Sequence, residues 1–204
     1  MSQFGNLKHI VDLETLLGYR LSLIDFTSIT TEAINYSWGD ETELINWIRF
    51  KDQKDQYNGN FYTISGSDKN AIENKKKYPL IWLVTPVTAQ NQGDIKRFNG
   101  VKLIFCSNTT EEWLNSTRWS KHIPMLQGLT DKTIEKLVGG VSIVRERGVL
   151  QYSYKTIPKY AVSDNGGSGD ESKTLDLWDA VVLEPDLLVN DSCRDEAYFE
   201  FCNK

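Results

Sequence analysis

The segment Tyr78 to Val87 reads YPLIWLVTPV, a dense apolar run with a proline near each end. It is far too short to cross a bilayer, and prolines at both ends oppose a helix because the residue before each is pushed out of the helical region. The run therefore reads as a strand buried on both faces, with Trp82 in the core. A polar loop containing Gln90 to Gly93 follows it, and Lys96 to Cys106 then reads as its antiparallel partner. In that partner Val101, Leu103 and Phe105 point to one face, and Ile104 and Cys106 to the other. These two strands are the expected centre of the sheet.

The other elements arrange around this pair. From Leu7, the residues Ile10, Val11, Leu13, Leu16, Leu17 and Leu21 recur at three- and four-residue steps, the spacing of an amphipathic helix, with Gly18 weakening its middle. Asp40 can cap a second helix, with Glu43 at its third position and Leu44, Ile45, Trp47 and Ile48 forming an apolar side; Leu44 to Phe50 also fits a strand. Turn residues at Tyr57 to Asn60 precede a short strand, Phe61 to Ile64, and a small helix is expected from Ser67. Thr109 or Thr110 can cap a helix starting at Glu111 and Glu112, and Pro124 opens another that runs to Val138. Gly148 to Ile157 alternates, with Leu150, Tyr152, Tyr154 and Thr156 on one side. Leu175 to Val189 holds two apolar runs split at Pro185. Between them, Ser163 to Lys173 is rich in Ser, Gly, Asp and Asn and reads as a mobile hairpin tip or arm. Helices and strand hairpins in this order predict an α+β fold with helices packed on a mainly antiparallel sheet.

At 204 residues the chain is expected to form one domain: an N-terminal helical region, 1–60, packed on an α+β core, 61–193, with a C-terminal tail, 194–204. Its net charge of -5 gives no basic footprint for gripping nucleic acid by its phosphates. Met1 to Leu7 lacks a basic head followed by an apolar run, so synthesis in a cytosol is expected, with no membrane role. Three cysteines, Cys106, Cys193 and Cys202, argue against a disulfide framework; Cys193 and Cys202 pair only if the tail is a hairpin in an oxidising medium.

Catalytic chemistry finds little to build on. Only His9 and His122 exist, neither in a recognisable motif, and His122, before Ile123-Pro124 at a helix entrance, reads as structural or as surface. No zinc spacing, GxGxxG or P-loop is present, so neither catalytic residue nor cofactor nor metal site is expected. The loop Asp164 to Glu171 departs from calcium-loop spacing. Lys75 to Lys77 reads as a solvated gatekeeper of the apolar strand. Asp176, Asp179, Glu184 and Asp186 are the carboxylates from which a magnesium-dependent hydrolase would be built, and edge or surface charge is the plainer reading. Six tryptophans are many for this length; Trp113 and Trp119 flank Arg118 in EEWLNSTRWSKH, where an interface anchor and ordinary helix packing compete.

Taken together, YPLIWLV at Tyr78 to Val84, FNGVKLIFCSNTT at Phe98 to Thr110, the stretch from Thr117-Arg118-Trp119 to Pro124, and LDLWDAVVLEPDLLVNDSC at Leu175 to Cys193 resemble small neck proteins of tailed phages and prophages of Bacteroidota, the tail-terminator or tail-completion proteins. The resemblance spans Phe61 to Cys193 and rests on apolar strand patterns. It implies a curved sheet backed by helices on one face, a subunit of a closed homo-oligomeric ring between portal connector and tail, and no enzymatic activity. The expected partners are sister subunits and other neck, portal or tail proteins of the virion, with six or twelve copies both compatible with a ring. On this reading the oligomer contacts fall to Trp113, Arg118, Trp119, Asp164 and Asp170. The family pattern carries a longer aromatic hairpin before the strand of Trp178 and Asp179, where this chain has a Gly- and Ser-rich loop. A neutral or acidic lumen would let DNA slide through without specific binding. Two other readings stand beside it: a small cytosolic metal-dependent hydrolase, and an adaptor that binds peptides by strand addition.

Overall fold

The computed structural model describes residues 13–40, 42–44, 61–65, 78–93, 95–110, 112–139, 143–144, 149–164 and 173–190. In chain order these give α1 (Leu13–Ser22), β1 (Ile34–Gly39), β2 (Phe61–Ser65), β3 (Leu80–Val84), β4 (Thr88–Gln92), β5 (Ile95–Asn99), β6 (Leu103–Asn108), α2 (Asn115–Val138), β7 (Ile143–Val144), β8 (Tyr152–Asp164), β9 (Lys173–Pro185) and β10 (Leu187–Asn190). A six-stranded sheet runs β2-β1-β3-β6-β9-β8 and a four-stranded sheet runs β4-β5-β10-β7. Every pairing is antiparallel except β1 with β3, so the fold is α+β on a mainly antiparallel sheet, as the order of elements predicts.

The apolar run does form an interior strand. Leu80, Ile81, Trp82 and Leu83 are buried, and β3 lies between β1 and β6. Both flanking prolines, Pro79 and Pro86, follow cis peptide bonds. Alternation sends Ile81 and Leu83, with Val101, Leu103 and Phe105, into a cluster shared with Leu13, Leu16, Leu17 and Leu21 of α1 and with Leu126, Leu129, Ile134 and Leu137 of α2. Helices α1 and α2 thus cover one face. Trp82, Ile104 and Cys106 fill the opposite face with Leu44, Trp178, Ala180 and Val182. The two faces expected for Val101 to Cys106 are the observed ones.

Four expectations are corrected. The stretch Lys96 to Cys106 is two strands, because the chain turns at Gly100, whose φ of +73° suits glycine; β5 joins the small sheet and only β6 pairs with β3. The presumed polar loop at Gln90 to Gly93 is largely strand: β4 and β5 form a hairpin around Gly93. The first 60 residues are more than a helical region. They contribute β1, whose Ile34 and Tyr36 face the helices while Asn35 and Ser37 are buried on the other side. Finally, residues 112–114 are not helical and no helix starts at Pro124. One continuous helix, α2, begins at Asn115 with Leu114 as an N-cap that makes no side-chain bond, and Pro124 lies inside it. Proline there removes one N–H from the helical ladder, a cost that the buried stripe Ile123, Leu126, Leu129, Thr130, Thr133, Ile134 and Leu137 outweighs.

The capping box at Asp40 is present. The Glu43 backbone N–H donates to Asp40 Oδ1 at 3.0 Å, and the Asp40 N–H donates to Glu43 Oε2 at 2.9 Å. The continuation of that turn beyond Leu44, the helix expected from Ser67 and the lysines 75–77 lie outside the described residues, as do His9, Cys193, Cys202, Asp170 and the tail 194–204.

Candidate functional site

The densest ionic arrangement among the described residues lies where the first turns of α2 cross the end of β6 and the middle of β9. Arg118 and Asp179 are both fully buried and paired, Nη1 to Oδ1 at 2.7 Å. The guanidinium also donates from Nη1 to Thr109 Oγ1 at 2.6 Å, from Nε to the Trp113 carbonyl at 3.1 Å and from Nη2 to the Thr110 carbonyl. Five donors in a rigid fork let one side chain bind the loop 109–113, the helix and β9 together. Thr109, expected as a helix cap, instead accepts a bond from Arg118.

Asp179 has a second task. Its Oδ1 also accepts the backbone N–H of Lys159 at 3.4 Å. Lys159 has a φ of 57°, in the left-handed region, and sits in the irregularity between Ile157 and Tyr160 where β8 carries one extra residue relative to β9. The carboxylate thus braces a β-bulge, a device that bends a strand and raises its local twist.

His122 completes the cluster from the next turn of α2. Its Nδ1 stands 3.7 Å from Asp179 Oδ2, beyond hydrogen-bond range, and both atoms are buried without a partner. The ring packs edge-on to Trp113, with centroids 4.6 Å apart. Burial lowers the imidazole pKa below its usual value, while the Asp179 charge pulls the other way. A carboxylate beside an imidazole is the orienting half of a nucleophile-activating triad, but no hydroxyl or thiol among the described residues hydrogen-bonds to His122. Among the described residues, the arrangement ties α2 to the loop before it and to β9.

Of the carboxylates considered for a hydrolase, the Asp176 side chain lies outside the described ones, and the other three do not converge. Asp179 faces α2 and is taken by Arg118, Asp186 pairs with Arg97 of the small sheet at 2.5 Å, and Glu184 is exposed. No group of three or more His, Cys, Asp or Glu among the described residues is placed to hold a metal.

Of the residues expected at subunit contacts, Arg118 is corrected: it is 0% exposed and serves the chain's own scaffold. Trp113 is half-buried against His122, Trp119 is 50% exposed, and Asp164 ends the β8 ladder opposite Lys173. Sequence reasoning missed a second surface. β8 is the last strand on its side of the six-stranded sheet, and Tyr152 and Tyr154 on it are 45% and 52% exposed, with Val149 just before them at 63%. The alternation of Gly148 to Ile157 was the available signal, but it does not tell a covered face from an open one.

Comparison of the chain with protein-family models, with curated proteins and with solved structures finds no match. No helix among the described residues is long and apolar enough to cross a membrane.

Proposed function

We propose that this chain is a structural subunit of a tailed-phage virion, one copy of a neck or tail-completion ring that joins the portal-connector region to the tail, and that it works by assembly, not turnover. The observation that carries the reading is the exposed aromatic edge of β8, which continues into a long two-stranded hairpin with β9. Exposed aromatic side chains in a row on a sheet edge are an anchor for another polypeptide, since large apolar groups left in water gain most by being covered. The ionisable groups point the same way: Arg118 and Asp179 neutralise each other inside the chain. The sequence resemblance supplies the setting in the virion. A repeated head-to-tail contact closes into a ring when the rotation between copies divides the circle.

The strand-addition adaptor shares the β8 edge as its supporting observation, with a foreign peptide in place of a sister chain. Electron microscopy of purified virions and of isolated neck complexes separates the two. A multi-subunit ring containing this chain supports the neck reading. A protein that stays monomeric and is missing from virions ends it.

A further inference from the structure

We propose that the open edge of β8 receives the C-terminal segment Asp195–Cys202 of a second copy as an added antiparallel strand. This deepens the ring reading and rests on it. The backbone direction of β8 comes first. The Asp186 N–H donates to the Gln151 carbonyl at 2.8 Å, so Gln151 and Asp186 form a hydrogen-bonded pair. Pro185, which has no N–H to give, then sits opposite Tyr152. Antiparallel ladders alternate, so Ser153 and Lys155 bond inward to β9, while the N–H and C=O of Tyr152, Tyr154 and Thr156 point outward. No other described strand lies on that side. The open stretch is bounded, because Pro158 and the bulge at Ile157/Tyr160 spoil regular pairing beyond Thr156.

A matching partner is written in the chain itself. Residues 195–202 lie outside the described structure, and their sequence is Asp-Glu-Ala-Tyr-Phe-Glu-Phe-Cys. Phe199 and Phe201 fall on one side of an extended segment and Tyr198 and Glu200 on the other. Tyr152 and Tyr154 share one face of β8, and Ser153 and the exposed Lys155 share the other. The pairing that lays aromatic on aromatic therefore also brings Glu200 to the side of Lys155, whereas a one-residue slip sets Glu200 among the tyrosines. Charge agrees on the larger scale: Lys155 and Lys159 stand on the edge, and Asp195, Glu196 and Glu200 on the segment. From Asn190, the end of β10 in the small sheet, to Tyr198 the extended chain reaches roughly 28 Å, enough to pass onto a neighbouring molecule.

Charge reversal in the full-length protein tests this, read by sedimentation velocity over a concentration series. K155E and E200K should each weaken self-association about tenfold or more, and the double variant K155E/E200K should restore it. An equimolar mixture of the two single variants should also restore it, because each reversed edge then meets a reversed tail and each native edge a native tail. Restoration in the double variant but not in the mixture means the tail folds onto its own chain, which overturns the contact between copies. Single variants that associate like wild type overturn the contact altogether while leaving the ring intact. A wild-type chain that never associates removes the ring reading itself.

Discussion

Arg118 and Asp179 form an ion pair with neither partner reaching water, so each depends on the other to offset the cost of burial. Removing one half leaves an uncompensated charge. Arg118→Leu is expected to destabilise the chain by about 3–5 kcal/mol, read from urea denaturation, and the double change Arg118→Leu with Asp179→Leu should cost clearly less than the single one. His122 adds a pH dependence. Burial depresses its pKa in the folded chain below 6.5, so the unfolded chain binds the proton first as pH falls. Stability is then full above about pH 6.5 and declines as pH drops below it, until the folded-state pKa is reached. Denaturation midpoints at about pH 7.5 and about pH 5.5 should show this loss in wild type and a smaller one in His122→Gln; identical slopes would mean the histidine carries its proton in the fold. None of this geometry could be read from the chain. Arg118 and Asp179 are 61 positions apart, and the Trp-Arg-Trp pattern around Arg118 looks like a surface anchor until the fold turns the arginine inward.

Local chemistry was legible wherever one element decided it. Asp40 and Glu43 are three apart and bond reciprocally, so the cap could be read directly; Asp40→Ala should cost about 1 kcal/mol, seen as a lower thermal midpoint. The leucine spacing of α1 and the two faces of β6 were equally readable, because burial on one or both sides leaves a period in the sequence. The errors came where two signals competed. Pro124 argued for a break, yet the buried stripe runs through it from Ile123 to Leu137, and packing decided. Gly128 on the same helix explains part of how closely it sits: a Cβ there would lie 3.3 Å from Ile29 Cγ2. β1 carried alternation at Ile34, Tyr36 and Trp38, but its intervening Asn35 and Ser37, polar and yet buried, hide a strand with two covered faces. β4 is almost wholly polar, so it resembled a loop and became a strand through pairing with β5.

For the whole molecule, the class of fold followed from the order of elements, while the presence of a second sheet did not. That sheet gathers β4, β5, β7 and β10 from distant parts of the chain, and Arg97 with Asp186 ties it to the turn that ends β9. The outer surface is where the expected contacts would fall. Trp119, expected at a contact, is half exposed. If it anchors a neighbour, Trp119→Ala should leave the urea midpoint of the chain within about 0.5 kcal/mol of wild type yet weaken assembly about tenfold or more, measured by light scattering on the same samples. Loss of folding stability without loss of assembly would return Trp119 to an ordinary packing role.

The brace at Lys159 also acts as a fulcrum. From that bend to Asp164 the hairpin extends about 17 Å, so a tilt of about 10° at the bulge carries its far end through about 3 Å. The carboxylate that aims this lever is the one clamped by Arg118 on α2. The direction of the far hairpin and the seat of α2 thus depend on one and the same side chain.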